Sequence, residues 1–235
     1  PADCFETVFE ACRIVIEFMT PVMFLSDGYI ANGSEPWRFP QSADLKSFKG
    51  NFITEKNGDK FLPYKRDEKL ARPWAIPGTA GLEHRIGGIE KQHETGNISY
   101  DPENHEFMVR MREAKVAKVA EYIPEQTLDN GNPKGKLLVV GWGSTYGAIK
   151  AAVKDAREKG LDVSHAHIRH INPFPKNLGE MLYAYDKVLV PEMNTGQLNS
   201  ILRDKFMIPS IGLNKIKGMP FSTAEILEKI EELCK

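Results

Sequence analysis

The chain has 235 residues, of which 41% are hydrophobic and 27% are charged, and its formal net charge at pH 7 is −1. This near-neutral balance provides no basic surface for nucleic acid, and no apolar run approaches the roughly 20 residues that span a bilayer. The three cysteines show no metal-ligand spacing and the N-terminus has no signal-peptide pattern, so we expect a cytoplasmic protein that holds no iron–sulfur cluster alone.

The first thirty residues read as a helix followed by a strand. Asp3 is expected to cap a helix that runs to about Met19, and Val22–Leu25 is expected to form a short buried strand. The chain begins with a proline, and its first fifty residues offer too little apolar surface for a core of their own. We therefore expect a fragment of a longer polypeptide; removal of an initiator methionine is the alternative. The inner face of the helix is predicted to be Phe5, Val8, Phe9, Cys12, Val15 and Ile16.

From about residue 32 to residue 133 the periodicity is weak, because prolines interrupt every long element. The glycine-rich and charged stretch 78–97 predicts an extended arm that packs on another surface. A helix is predicted from about Pro102 to Glu121, and a turn or linker follows at 127–133. The candidate inner residues of this helix are Phe107, Val109, Met111, Val116 and Val119.

After Lys134 strands alternate with helices, which is typical of an α/β domain with a mostly parallel sheet. Helix 222–234 opens with the capping-box arrangement of Ser222 or Thr223 with Glu225. The pattern therefore predicts a three-layer α/β/α fold. Its strands are expected at 137–141, 162–168, 187–190 and 210–215, and its helices at 145–159, 175–184, 196–206 and 222–234.

A glycine-spaced turn, GWGSTYG, joins the first of these strands to its helix. One reading is that Gly141, Gly143, Ser144 and Thr145 contact an anion, such as a coenzyme A phosphate or a partner's carboxylate, at the helix N-terminus. The other reading is helix capping and close strand–helix packing. As a dinucleotide fingerprint the turn is incomplete, and Trp142 places an indole inside it.

Several stretches together resemble the alpha subunit of 2-oxoacid:ferredoxin oxidoreductases, with the 2-oxoglutarate enzyme as the nearest likeness. The stretch VVGWGSTYGAIKAAVKDAREKGLDVSHAHIRHINPFP followed by VLVPEMNTGQL resembles the C-terminal domain of that subunit, which is similar to the transketolase C-terminal domain. GTAGLEHRIGGIEKQHETG followed by DPENHEFMVRMREAK resembles its linker, and PVMFLSDGYIANGSEPW the end of its pyrimidine-binding domain. The family's early Y-P-I-T-P-type segment is absent.

The resemblance implies a division into 1–50, the end of the pyrimidine-binding α/β domain, 51–133, a linker arm with a helix, and 134–235, the transketolase C-terminal-like domain. It implies oxidative decarboxylation of a 2-oxoacid to an acyl-CoA, with thiamine diphosphate as cofactor, coenzyme A as co-substrate and ferredoxin as electron acceptor. Thiamine diphosphate and Mg²⁺ are expected mainly on a beta subunit, and the iron–sulfur cluster on another subunit. This segment is expected to be structural and interface-forming, with no catalytic residue of its own.

Candidate substrate or interface residues follow two strand ends, where sites in parallel sheets gather. Arg169, His170 and Asn172 follow one strand; the arginine is suited to clamp a carboxylate, and a structural ion pair or interface contact is the alternative. Glu192, Asn194 and Gly196 follow the next strand and suit a tight turn that contacts a neighbouring subunit.

The arm carries Thr79, Glu83 and His84, which we expect at the mouth of the active site or against the partner subunit. Glu83 and His84 with His93 and Glu94 fit no standard zinc spacing, so no metal site is predicted. His165 and His167 share one face of their strand and His170 lies on the other, which leaves a pH or metal role open beside a half-exposed strand face.

Two other functions stay open. The chain can belong to a related enzyme acting on pyruvate or another 2-oxoacid, because the residues that choose the substrate are expected upstream. It can also be a free-standing nucleotide-binding module built on the Gly141–Thr145 turn. His167, Ile168 and Arg169 stand where a ribose-binding acidic residue is expected, which disfavours NAD but not NADP.

Overall fold

The computed structural model of the chain describes residues 1–56, 58 and 60–235. The chain divides into two compact units. The first unit is Pro1–Phe24 with Glu35–Tyr122, and the second unit is Leu25–Ser34 with Ile123–Lys235. The helices are α1 (Ala2–Phe18), α2 (Gly28–Ala31), α3 (Pro102–Lys118), α4 (Tyr146–Glu158), α5 (Leu178–Tyr183), α6 (Gln197–Phe206) and α7 (Thr223–Cys234). The strands are β1 (Phe52–Ile53), β2 (Trp74–Ala75), β3 (Gly135–Trp142), β4 (Val163–Ile168), β5 (Tyr185–Glu192) and β6 (Ile211–Asn214).

The second unit contains a four-stranded sheet in the order β4-β3-β5-β6, and every neighbouring pair is parallel. These strands are nearly continuous in apolar residues because helices cover both faces of a parallel sheet. In β3, for example, all four residues of Leu137–Val140 are buried. The predicted α/β fold with a parallel sheet is confirmed.

The two faces of this sheet carry separate cores. One face, with α4 and α7, buries Leu137, Val139, Ile149, Val153 and Ile226 among others. The opposite face, with α5 and α6, buries Leu138, Val140, Ala166, Leu182 and Leu202 among others. The sheet therefore lies between two helical layers, as the alternating pattern predicts.

The N-terminus of the last helix, α7, is capped as its sequence predicts. The Ser222 hydroxyl accepts from the backbone N–H of Glu225 at 3.3 Å, and the Glu225 carboxylate accepts from the backbone N–H of Ser222 at 2.8 Å. The predicted capping box is confirmed. The Glu225 carboxylate also binds Lys215, and these bonds, with that of Lys215 foremost, lower its pKa to about 2.

The first unit corrects several expectations about α1. The helix forms where predicted, but Pro1 rather than Asp3 occupies the N-cap, and the buried residues are Ile14 and Phe18. The predicted strand at Val22–Leu25 is wrong: those residues have no regular structure, and the Met23 side chain is 83% exposed. No strand among the described residues pairs with this apolar run, and a four-residue run alone does not form a strand.

Long-range hydrogen bonds link the elements of the first unit. The Trp74 indole N–H donates to the Ile16 carbonyl at 2.8 Å, which joins β2 to α1. Lys115, on α3, donates to the Met19 carbonyl at 2.9 Å. Helix α3 buries only Met108, whereas the predicted inner residues Phe107 and Val109 are exposed. No helix in the described part of the chain has the length and apolar character needed to cross a bilayer.

Candidate functional site

The carboxyl edge of the four-stranded sheet has a topological switch point between β3 and β5. The chain leaves β3 through α4 toward β4, and then returns through α5 to β5, on the other side of β3. Loops that follow such a pair of strands diverge, and open parallel sheets bind their ligands in the crevice between them. The two loops here are Gly143–Thr145, a turn of 3-10 helix, and the segment 193–196.

In this protein the chain's own side chains bridge the crevice. The register of β3 and β5 pairs Val139 with Leu189, which places Trp142 opposite Glu192 three residues further on. The indole N–H of Trp142 donates to Oε1 of Glu192 at 3.2 Å. Next to this bond, the Ser144 hydroxyl lies 3.8 Å from Sδ of Met193. The predicted interface residue Glu192 is therefore joined to the glycine turn.

Glu192 is fully buried, and its carboxylate receives hydrogen bonds on both oxygens. Oε1 accepts from the backbone N–H of Leu198 at 2.9 Å and from the Asn194 amide at 3.1 Å, and Oε2 accepts from the backbone N–H of Asn199 at 3.0 Å. Both backbone donors belong to the first turn of α6, where unpaired N–H groups and the helix dipole favour an anion. The carboxylate thus occupies the N-terminus of α6 as an internal anion.

Asn194 and Gly196 complete this helix start. Oδ1 of Asn194 accepts from the backbone N–H of Gly196 at 2.7 Å and of Gln197 at 3.0 Å. Gly196 has φ of 96°, a conformation that favours glycine, as expected for a tight turn. All three residues predicted after β5 therefore lie together, and their hydrogen bonds position α6; a ligand or subunit contact for them stays a prediction.

The glycine turn after β3 is also engaged with its own chain. A Cβ at Gly141 would lie 2.4 Å from Cδ1 of Ile149, so this glycine permits close packing of α4 on the strand. The Thr145 hydroxyl donates to the Trp142 carbonyl at 2.8 Å. Gly143, with φ of 59°, is exposed and a Cβ there would meet nothing within 4 Å. The geometry favours packing and capping for Gly141 and Thr145, and leaves Gly143 and Ser144 as the accessible part of the turn.

Arg169, His170 and Asn172 follow β4, at the same edge of the sheet. Trp142 pairs with Ile168 in the β3–β4 register, so Arg169, the next residue along the chain, lies beside the glycine turn. Arg169 and Asn172 are exposed and His170 is half-buried. The structure therefore brings the groups predicted after β3, β4 and β5 to one edge, as the parallel topology requires.

Thr79, Glu83 and His84 belong to the first unit. Nδ1 of His84 lies 2.8 Å from the Leu82 carbonyl, so this nitrogen carries the hydrogen and Nε2 is the acceptor in the neutral ring. Glu83 and His84 line a cleft of about 370 Å³ together with Lys56, Lys60 and Arg85. The arm thus presents Glu83 and His84 on a mainly cationic cleft wall, and contact of Thr79, Glu83 or His84 with an active site stays a prediction.

His165 is a buried polar residue whose environment the sequence did not reveal. Its relative exposure is 0%, and neither ring nitrogen has a hydrogen-bond partner among the described residues. Burial lowers its pKa to about 4, with Asp129 opposing this shift and His167 and Lys150 adding to it. The expectation of a half-exposed strand face is therefore wrong at this position, because the Tyr146 ring of α4 packs on the imidazole, with the ring centres 5.6 Å apart.

The described residues contain no group of three or more His, Cys, Asp or Glu side chains placed to hold a metal ion.

Two family models match the chain. One, described as pyruvate:ferredoxin oxidoreductase core domain II, matches residues 135–228. The other, described as pyruvate flavodoxin/ferredoxin oxidoreductase, thiamine diphosphate-binding, matches residues 1–101. The two matches fall on different parts of the chain, one at each end.

Curated proteins and one solved structure are similar over nearly the whole chain. The 2-oxoglutarate oxidoreductase subunit KorA of Mycobacterium tuberculosis is 51% identical over 96% of this chain and 34% of its own length. Subunit alpha of 2-oxoacid:ferredoxin oxidoreductase 1 of Aeropyrum pernix is 28% identical over 99% of this chain and 37% of its own length. The 2-oxoglutarate:ferredoxin oxidoreductase of Magnetococcus marinus, solved with 2-oxoglutarate, coenzyme A and succinyl-CoA bound, superposes with a TM-score of 0.87 at 27% identity, covering 95% of this chain and 39% of that chain. The chain therefore spans about a third of the length of these two curated relatives.

Proposed function

Because the chain belongs to the 2-oxoacid:ferredoxin oxidoreductase family, as part of its alpha subunit, we propose that it works within a 2-oxoglutarate:ferredoxin oxidoreductase. That reaction is the oxidative decarboxylation of 2-oxoglutarate to succinyl-CoA with reduction of ferredoxin. The observation that carries the proposal is the 51% identity, over 96% of the chain, to the M. tuberculosis 2-oxoglutarate oxidoreductase subunit.

The segment's own role is to shape and assemble a site that other chains complete. The carboxylate of Glu192 holds four hydrogen bonds from its own unit, so it is committed to positioning α6 rather than to proton transfer. The accessible groups at the carboxyl edge, Gly143, Ser144 and Arg169, are suited to contact a partner subunit. We propose the division into 1–50, 51–133 and 134–235 as the domain organisation.

Cofactors and partners follow from the same proposal. The match of residues 1–101 to a thiamine diphosphate-binding family model supports a place beside thiamine diphosphate. The described residues offer no donor set for Mg²⁺ or for an iron–sulfur cluster, and we derive no catalytic step through either. We propose that a beta subunit holds Mg²⁺ and makes most of the contacts with thiamine diphosphate. Another subunit holds the iron–sulfur cluster, which passes electrons to ferredoxin. In such a complex, coenzyme A is the acyl acceptor.

The second candidate is an enzyme of the same family that prefers pyruvate, since both family models carry pyruvate in their descriptions of ferredoxin oxidoreductases. The structure gives no support to a free-standing nucleotide-binding module. Gly141 of the glycine turn packs against Ile149, and the Thr145 hydroxyl donates to the Trp142 carbonyl of its own chain.

The test is turnover by the complex purified through an affinity tag on the polypeptide that contains this chain. We expect coenzyme A-dependent reduction of methyl viologen with a kcat/KM that is highest for 2-oxoglutarate among 2-oxoglutarate, pyruvate and branched 2-oxoacids. We expect no turnover from the 235-residue chain alone. Preference for pyruvate would establish the second candidate, and turnover by the isolated chain would overturn its role as one part of a shared site.

A further inference from the structure

Two histidines of β4, His165 and His167, lie on the same face of the strand and are hereafter called the histidine pair. They are two residues apart, so their side chains leave the same side of the sheet. The centres of their rings are 5.9 Å apart. The Tyr146 ring of α4 lies against both, with its centre 5.6 Å from that of His165 and 4.9 Å from that of His167. The two imidazoles and the phenol ring therefore form one compact group between β4 and α4.

His165 is the member of the pair whose surroundings do not account for its polarity. It is fully buried, and neither of its ring nitrogens has a hydrogen-bond partner among the described residues. Buried polar groups of folded proteins nearly always have a partner, which is another protein group, an ordered water or an ion. Because an unsatisfied buried polar group is costly, this imidazole points to a ligand that the protein itself does not supply.

The spacing of the histidine pair fits a single metal ion bound by both rings. A zinc–nitrogen bond to histidine is about 2.0–2.1 Å long, which puts the ion about 3.2 Å from the centre of each ring. For angles at the metal between the tetrahedral value and about 150°, the two ring centres are then about 5.2–6.2 Å apart. The observed separation of 5.9 Å lies within this range.

The charged groups that act on the pair come from the two segments packed against β4. Oδ2 of Asp129 accepts from the backbone N–H of His167 at 3.1 Å, and its negative charge acts on His165. Lys150, on α4, adds a positive charge, and its ammonium donates to the Tyr146 hydroxyl at 3.2 Å. Burial lowers the pKa of His165 to about 4, so its ring is neutral near pH 7. The neutral imidazole is the form that binds metals.

The donor atoms of the pair select the class of metal. Imidazole nitrogen suits zinc, copper and nickel, whereas Mg²⁺ and Ca²⁺ prefer oxygen ligands. The described residues place no third histidine, cysteine or carboxylate in a common metal site with the pair. Two protein ligands leave open coordination positions for water, unlike the closed sites with four protein ligands that hold structural zinc. The arrangement therefore suits an exchangeable ion.

We propose that His165 and His167 bind a divalent transition metal ion such as Zn²⁺, with water in its remaining coordination positions. A Cβ at Gly141 would lie 3.0 Å from Nδ1 of His167, so the site adjoins the glycine turn between β3 and α4. The inference goes beyond the proposed enzymatic function and is independent of it, because both ligands belong to β4 and no 2-oxoacid chemistry is involved.

The test is isothermal titration of the chain with zinc chloride in a non-chelating buffer, paired with thermal unfolding followed by circular dichroism. The chain carries no polyhistidine tag, because such a tag binds the same ion. We expect saturable binding and an unfolding temperature that rises with zinc concentration, since the ion binds the folded chain. Magnesium chloride at the same concentration should produce neither effect.

The variants test whether the histidine pair is the site. His165→Gln and His167→Gln should each weaken zinc binding by about tenfold or more, because one lost imidazole removes the chelate. His105→Gln is the matched control, since it makes the same change at an exposed histidine paired with Glu90. Circular dichroism establishes that each variant is folded. If His165→Gln does not fold, His167→Gln still tests the site, because His167 is only partly buried.

Three results would overturn the proposal. The first is the absence of saturable zinc binding, which would leave ordered water as the partner of the His165 ring nitrogens. The second is a zinc affinity of the folded His165→Gln and His167→Gln variants equal to that of His105→Gln, which would place any bound zinc elsewhere, for example on the cysteines. The third is equal stabilisation by magnesium chloride and zinc chloride, which would show an effect of ionic charge alone.

Discussion

Glu192→Gln replaces a buried carboxylate with an amide of nearly the same shape, and we expect it to destabilise the second unit. The amide oxygen can still accept the bonds that Oε1 now receives from Trp142, Asn194 and Leu198. The amide nitrogen must then face the backbone N–H of Asn199, which now donates to Oε2 at 3.0 Å. Two donors meet there, and the negative charge at the start of α6 is lost.

The magnitude follows from these two losses. A hydrogen bond to a charged acceptor contributes about 1.5–3 kcal/mol, and a negative charge at a helix N-terminus contributes about 0.3–1 kcal/mol. We therefore expect the free energy of unfolding to fall by about 2–4 kcal/mol. At about 4 °C per kcal/mol for a unit of this size, the unfolding temperature should fall by about 8–16 °C.

The assay is thermal and urea unfolding followed by circular dichroism, with amide hydrogen exchange at Leu198 and Asn199 as the local measurement. Glu231→Gln is the matched control, because it makes the same chemical change at an exposed carboxylate paired with Lys159; we expect a change within about 0.5 kcal/mol. Equal stability of Glu192→Gln and the control would refute the structural role. Loss of turnover in the assembled enzyme without loss of stability would show that Glu192 takes part in the chemistry.

Three further predictions concern the second unit. Because the folded-state pKa of His165 is about 4, below the ordinary value of about 6.5, the unfolded state binds the proton first as pH falls. Stability should be full above about pH 6.5 and fall by roughly 3 kcal/mol toward pH 4, a loss that urea titrations should not find in His165→Phe. Gly141→Ala should destabilise by about 1–3 kcal/mol through its clash with Ile149, whereas Gly147→Ala, where a Cβ meets nothing within 4 Å, should stabilise by up to about 1 kcal/mol in the same assay. Ser222→Ala should cost about 1 kcal/mol of unfolding free energy by removing the cap of α7, and a cost near zero would contradict the capping-box assignment.

Local sequence signals are sufficient for the α/β part of the second unit, from β3 to α7. Each strand and helix there has a clear period or a recognisable cap, such as Ser222 with Glu225, so the sequence predicts its type. The short helix α2, which Asp27 caps, was not predicted. The first unit gave weaker signals. The apolar residues of α1 do not form a single buried stripe, and Phe5 and Val8 are partly exposed while Ile14 and Phe18 are buried.

The candidate site could be predicted only in part, for a topological reason. The ends of the parallel strands were expected to meet at one edge, and Arg169, Glu192 and the glycine turn do lie along it. The bond between Trp142 and Glu192 depends on β3 and β5 being neighbours, which the chain order does not specify.

The most direct test of the central claim is to purify the polypeptide that contains this chain from its native extract, through an affinity tag, and to identify the co-purifying chains. We expect a stoichiometric thiamine diphosphate-binding beta chain and an iron–sulfur chain, in a fraction that reduces ferredoxin with 2-oxoglutarate and coenzyme A. Recovery of the polypeptide by itself, as a stable monomer with no associated 2-oxoacid oxidoreductase activity, would contradict it.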